Sequence, residues 1–397
     1  MQPVKADNQQ NPQKNLYPDK NLLIVFAVSL VAVLGVGSVT PAFPKLAQEL
    51  NVPQQNIGFL VTVFTLPAFL LGPIIGVLAD RFGRKKVIVP SLFLFGIAGT
   101  ACAFARDFNL LLMLRFLQGI GAASLLSLTV TLIGDLFTAE RRTAAMGYNA
   151  SVSSIGTAIY PTIGGALATM GWTYPFMLPL VAIPVGLLVL SGLKNPEPKA
   201  KQDLGEYLRN VLKALRNRQL VGLFIASAAN FVLLYGAYVT YLPILMANSF
   251  KQPPLQIGLI LSSISISVAI ASSQLGRLTR RFSEADLVKT SFVFYALALL
   301  IVPFVPNIWL LLIPTTIFGV GLGIGFPSIQ TLLVALAPKG YLGAVISVNG
   351  TFFGLGQTLG PLLMGIAFAI GGINSVFYAG VCFALATLIV FRYCTCI

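Results

Sequence analysis

A fixed offset of 200 residues relates one half of this chain to the other. Val39 and Thr40 recur as Val239 and Thr240, Pro53 as Pro253, and Ile57-Gly58 as Ile257-Gly258. Gly76-x-Leu78-x-x-Arg81-Phe82 recurs as Gly276-x-Leu278-x-x-Arg281-Phe282, and Gly119-x-Gly121 as Gly319-x-Gly321. Asn149, Gly156, Pro161 and Gly165 return as Asn349, Gly356, Pro361 and Gly365. Turn-forming and packing residues held in one register over this distance are what two duplicated halves packed about a shared axis require.

The repeat lies on membrane-length apolar stretches. Of the 397 residues, 56% are hydrophobic and 10% charged, with a mean hydropathy of +0.85, whereas a soluble domain carries about a quarter charged residues. Windows of about 20 apolar residues give twelve spans: 22 to 44, 56 to 79, 87 to 105, 109 to 135, 143 to 169, 174 to 193, 219 to 247, 256 to 278, 290 to 306, 308 to 336, 341 to 370 and 373 to 391. Six fall in each half. The expected fold is an all-α membrane protein of two pseudo-symmetric six-helix bundles, over residues 1–193 and 219–397. Residues 194–218 link them as a basic amphipathic stretch suited to the membrane interface.

The net charge of +14 is distributed as topology and not as a nucleic-acid surface. With both termini threaded to the cytoplasm, 22 of the 26 Lys and Arg fall on that side, with Lys45, Arg106 and Lys251 outside and Arg115 inside a span. This is the positive-inside pattern. It implies a multi-pass protein of the plasma (inner) membrane with both termini cytoplasmic, lipid as its surroundings and no nucleic-acid partner. The polar first 21 residues, followed by a long apolar run, suggest an uncleaved first span. Cys102 and Cys382 lie in spans, Cys394 and Cys396 close the chain, and there is no histidine. No disulfide framework, metal set or cofactor is expected.

Three motifs carry the chemistry. After span 2 comes Gly76-Val77-Leu78-Ala79-Asp80-Arg81-Phe82-Gly83-Arg84-Lys85-Lys86, with a carboxylate among cations and a glycine at a tight turn. Span 4 holds Arg115 with Gln118 and Gly119 on the same helical face. A guanidinium at mid-span costs about 2.5 to 3.5 kcal/mol on insertion scales, so it should face the bundle interior or a wet cavity. Span 5 supplies Gly147, Gly156 and Tyr160-Pro161-Thr162-Ile163-Gly164-Gly165, in which Pro161 kinks the helix and small residues permit close packing.

These motifs resemble the signature loop, the span-4 arginine motif and the span-5 antiporter motif of the major facilitator superfamily, in its twelve-helix drug:proton antiporter branch. The resemblance covers nearly the whole chain. It implies that Asp80, Arg81 and Arg84 form a charge network with Asp135, Glu140, Arg141 and Arg142 that latches the outward-open state. It implies that Arg115 serves proton coupling, and that the helix carrying Gly156 and Pro161 seals the periplasmic side. Two departures stand out. The second loop carries Arg280 where the acid belongs and Ser283 where the glycine belongs, and Tyr160 replaces the glycine before Pro161, so its ring must project elsewhere or the packing relax.

None of the twelve acids lies at the centre of a span, which leaves Arg115 as the one charge available to a cavity. A neutral, amphipathic or anionic substrate is therefore expected. Substrate contacts are expected from Arg115, Gln118, Asn149, Asn230, Tyr235, Tyr238 and Gln357, with Thr40, Gln330 and Asn349 as further cleft-lining polar residues. Tyr235, Tyr238 and Tyr241 suggest a stacked aromatic wall. Beyond the gating loop there is no base, nucleophile or metal set of the kind a membrane-embedded enzyme such as a lipid transferase would need. The expected function is proton-coupled efflux of a small molecule by a monomer through alternating access. The alternative is an exporter or flippase for a lipid-like molecule or metabolite, or an importer, without conventional proton antiport.

Overall fold

The computed structural model describes residues 19–193, 217–337 and 342–395, and they form helices without strands. The helical part of the linker expected within 194–218 falls almost wholly outside the described residues. Twelve rods run back and forth: α1 (Lys20–Gly37, prolonged by Phe43–Glu49), α2 (Phe59–Phe82), α3 (Arg84–Ala101), α4 (Phe108–Leu136), α5 (Ala139–Met170), α6 (Ala182–Gly192, entered through the tighter turns Tyr174–Val181), α7 (Arg218–Leu233, prolonged by Leu242–Phe250), α8 (Pro254–Ser273), α9 (Glu284–Ile301), α10 (Leu312–Leu336), α11 (Leu342–Gly371) and α12 (Ile373–Thr395). Eleven rods are long and apolar enough to cross a membrane by composition alone. The exception, α5, is rich in Gly, Ser, Thr and Ala because it packs against α1 on one side and the other half of the molecule on another. It therefore needs small side chains more than a lipid-facing surface.

Helix starts are set by ordinary capping chemistry. Asp19 accepts the backbone N–H of Asn21 at 2.8 Å, Asp107 that of Leu110 at 3.0 Å, and Asn217 that of Gln219 at 2.9 Å. Between α2 and α3 the chain turns through Gly83 at φ +95°, a conformation that only glycine adopts without strain. The second half solves the same turn differently. A short helical turn, Leu275–Leu278, follows α8, and Ser283 at φ −70° caps α9 through Oγ accepting from the Asp286 N–H at 3.1 Å. No left-handed residue is needed there, which accounts for the serine.

The halves repeat one another in packing as well as in sequence. In the first, α2 packs on α4, α3 on α4, α1 on α5 and α3 on α6; in the second, α8 packs on α10, α9 on α10, α7 on α11 and α9 on α12. They meet along two seams, α5 against α8 and α2 against α11. Described cations gather at one end of the rods, at Lys20, Arg81, Arg84 to Lys86, Arg141, Arg142, Arg218, Arg277, Arg280, Arg281, Lys289 and Arg392, leaving Lys45, Arg106 and Lys251 at the other. These are called the basic end and the far end.

Candidate functional site

At the far end the seams are closed. A Cβ on Gly58 would lie 2.9 Å from the carbonyl oxygen of Pro361, and one on Gly258 would collide with the carbonyl oxygen of Pro161. The repeated glycine of each α2-type helix thus lets its backbone rest on the repeated proline of the opposite half. Hydrogen bonds cross the contact. Thr162 and Ser262 hydroxyls are 2.8 Å apart, and Thr62 Oγ1 donates to Thr358 O at 3.0 Å. Asn248 Nδ2 donates to Gln54 Oε1 at 2.7 Å. Tyr241, fully buried, places its hydroxyl 2.7 Å from Gln55 O of the first half and 3.3 Å from Pro361 O of the second.

Toward the basic end the α2–α11 seam comes apart. Thr65 and Thr358 still touch through their hydroxyls at 3.1 Å, and a Cβ on Gly354 would meet Phe69 at 3.3 Å. One turn further, Gly72 and Gly350 face nothing within 4 Å. The halves form a wedge, shut at the far end and parted at the basic end.

Arg115 does not face that wedge. Expected as the single charge of the cleft, it is instead completely buried inside the first bundle, and every group it touches belongs to that bundle. Its Nε–H donates to Leu60 O at 3.3 Å, and Nη1 to Gly35 O at 3.0 Å and to Gln118 Oε1 at 2.8 Å. The Phe64 ring lies 4.2 Å from the guanidinium carbon and the Phe176 ring 6.0 Å. Gly35 makes this possible, since a Cβ there would strike the Phe64 ring. Among the described residues no carboxylate pairs with Arg115, so carbonyl dipoles and π faces offset a desolvation cost of several kcal/mol. Arg115 Nη2 and Gln118 Nε2 remain without acceptors. The equivalent positions of the second half are Thr315, beside the Ser263 hydroxyl, and Phe318, packed with Tyr238 and Tyr295. The charge is a property of the first bundle only.

The other expected residues divide into several environments. Arg84 Nε pairs with Asp135 Oδ2 at 3.3 Å, Arg142 Nη2 donates to Gly134 O at 2.7 Å, and Lys85 Nζ donates to Leu193 O at 3.2 Å, which ties α3, α4, α5 and the end of α6 together at the basic end. Arg81 is exposed, and the Asp80 and Glu140 side chains lie outside the described set. Gly156 faces Leu30 and Val33 of α1. Tyr160, half-buried, lays its ring back over Gly156 of its own helix, 3.2 Å from a Cβ built there, while the corresponding Gly360 presses against Val232 O of α7. The α1–α5 contact is accordingly looser than α7–α11. Asn149 accepts from Ser29 Oγ at 2.7 Å, whereas its repeat Asn349 donates to Gln330 at 2.9 Å. Asn230 is buried with neither amide atom paired, and Gln357 is buried at the α11 seam.

The three tyrosines of α7 do not build one wall. Leu234–Tyr241 winds as a π-helix, marked by Thr240 Oγ1 donating to Tyr235 O at 2.6 Å, and the wider turn rotates the side chains off the 3.6-residue period. Tyr235 packs on Phe231, Tyr238 donates to Pro314 O at 3.0 Å inside the second bundle, and Tyr241 enters the seam. The aromatic wall comes from elsewhere. Phe231 of α7 has Phe353 of α11 at 3.8 Å and Phe326 of α10 at 5.5 Å between ring centroids. With 28 phenylalanines in the chain this cluster has no sequence signal of its own. The sole hint is that Phe231 and Phe353 repeat as Val31 and Ser153 in the first half.

A sequence model of the Major Facilitator Superfamily matches residues 25–250 and 223–395. The bacillibactin exporter of Bacillus subtilis (strain 168) is 28% identical over 86% of this chain and 88% of its own length. Multidrug resistance protein 1 of the same organism is 28% identical over 92% and 93%, and the quinolone resistance protein NorA of Staphylococcus aureus (strain COL) 23% over 94% and 96%. Among solved structures, a bacterial homolog of the human lysosomal transporter Spinster, inward-facing and unoccupied, superposes with a TM-score of 0.77 at 16% identity over 95% of this chain and 96% of that one. The nucleoside transporter NupG gives 0.81 at 14% identity over 95% and 99%.

Proposed function

Since this chain belongs to the major facilitator superfamily, we propose that it is a secondary active exporter that moves a small molecule through the wedge between its bundles, driven by proton entry. The observation that carries this reading is the seam, bolted from Tyr241 to Thr358 and parted at Gly72 and Gly350. Two pseudo-symmetric bodies joined this way have a second arrangement available, in which the far end parts and the basic end meets. Alternation between the two exposes one site to each side in turn.

The basic end faces the cytoplasm on the positive-inside argument, so the described state is the one that loads from the cell interior. The aromatic cluster of Phe231, Phe326 and Phe353, with Tyr235 beside it, offers a surface for the apolar body of a substrate. With no acid at the centre of any span, a neutral, amphipathic or anionic compound suits the wedge better than a dication. Asn149 and Tyr238 serve first to hold helices together and Gln118 to seat the Arg115 guanidinium, and Arg115 acts on coupling by tying α1, α2 and α4 to one another. Asp80, Arg81, Arg84, Asp135 and Arg142 close the basic end in the other state, so Asp80→Asn slows turnover. The protein works as a monomer in the plasma membrane.

The test is a panel of compounds in proteoliposomes with an imposed pH gradient. Gradient-driven accumulation of neutral or anionic aromatics is the expected result, and a preference for dications overturns the substrate class. The missing span-centre acid favours one second reading: export or flipping of a lipid-like molecule or metabolite, or import, without proton antiport. Transport that proceeds without moving protons selects it.

A further inference from the structure

The two loops at the basic end have diverged in charge. In the first, Arg84 is held by Asp135 at 3.3 Å and Lys85 by Leu193 O at 3.2 Å, while Arg81 and Phe82 are exposed. In the second, Arg277, Arg280, Phe282 and Arg281 are all exposed, Phe282 at 54%. Arg277 donates only to Gln274 of its own turn, at 2.8 Å, and among the described residues Arg280 and Arg281 meet no acceptor. The nearby acids do not reach them, because Asp286 is held by Ser283 at 2.6 Å and Lys289 at 3.0 Å, and Glu284 forms no ion pair with a described residue.

The loop follows an exposed apolar surface. Ile266 and Ile270 on α8 and Val293 and Leu297 on α9 are exposed apolar residues. Arg277 lies seven residues beyond Ile270, in the short turn after α8, about 10 Å at helical rise, which matches the step from acyl chain to headgroup. Phe282 supplies an apolar anchor at that level. Guanidinium groups bind phosphate oxygens in paired hydrogen bonds, and an ammonium or amide does so less well. We infer that Arg280 and Arg281, assisted by Arg277 and Phe282, form a binding site for the headgroup of an anionic phospholipid. The lipid phosphate there takes the place of the carboxylate that the first loop carries as Asp80. This assignment is independent of what the protein transports.

Purified full-length protein is titrated with phosphatidylglycerol or phosphatidylcholine, with lipid retention read by native mass spectrometry and thermal unfolding followed in parallel. Phosphatidylglycerol is expected to be retained in preference and to raise the melting temperature. Arg280→Gln with Arg281→Gln lowers that affinity by roughly fivefold per guanidinium removed. Arg280→Lys with Arg281→Lys retains the larger part, which guards against a folding defect, and Arg392→Gln, an exposed cation at the same end, changes nothing. The assignment is overturned if the double glutamine variant holds phosphatidylglycerol as the parent does. It is overturned equally if Arg392→Gln loses as much, a mere surface potential, or if inorganic phosphate displaces the lipid at equal concentration, a site for free anions.

Discussion

Arg115 shows how one side chain is made tolerable where water is absent. Its three hydrogen bonds reach α1, α2 and its own helix α4, so the residue couples helices that must move as a unit. Replacement by methionine removes both the charge and its desolvation cost, so folding survives. Arg115→Met is expected to melt within a few degrees of the parent, as a thermal scan would record, yet to transport at less than about a tenth of the parental rate. Arg115→Lys does not restore it, because an ammonium lacks the planar fork that spans Gly35 O, Leu60 O and Gln118. Tyr241→Phe deletes a single seam hydroxyl worth about 1 kcal/mol. Alkylation of a cysteine introduced at the closed far-end seam is expected to rise roughly fivefold as the closed population falls. Insertion cost excludes lipid for Arg115 without distinguishing a wet cleft from a dry bundle core, and it is the core that the packing around Gly35 and Phe64 provides.

At the scale of helices, the seam rests on backbone contacts that side chains would block. Gly258→Ala is expected to prevent α8 from seating on Pro161, leaving the far end open in double electron–electron resonance distances, while Gly276→Ala, which faces open space, leaves them unchanged. All twelve rods were legible from hydropathy and register, and their ends moved by a few residues where caps such as Asp19 and Ser283 decide them. The π-turn inside α7 was not: it lies where Gly236 rests on Gly360 O, with room for no Cβ, which would lie 2.7 Å away, and such a tertiary contact is not encoded in the periodicity of one helix. For the same reason Tyr235, Tyr238 and Tyr241 read as one face and fold into three.

The whole molecule is two copies of one packing scheme that have specialised. The first keeps the guanidinium, a basic loop anchored through Arg84 and Lys85 and the looser α1–α5 contact over Tyr160; the second keeps the aromatic cluster, the tight α7–α11 contact at Gly360 and a basic loop whose Arg280 and Arg281 meet no acceptor among the described residues. The repeat revealed the symmetry, and the points where it fails revealed the division of labour. The account rests on both ends of the wedge moving together, and paired spectroscopic distances test that directly. Spin labels on Gly72→Cys with Gly350→Cys report the basic end, and labels on Asn51→Cys with Gln252→Cys report the far end. Upon titration with a transported compound and an inward proton gradient, the first distance is predicted to shorten as the second lengthens, with one shared midpoint. A far end that stays shut while the basic end closes, or two ends that respond with unrelated midpoints, would contradict it.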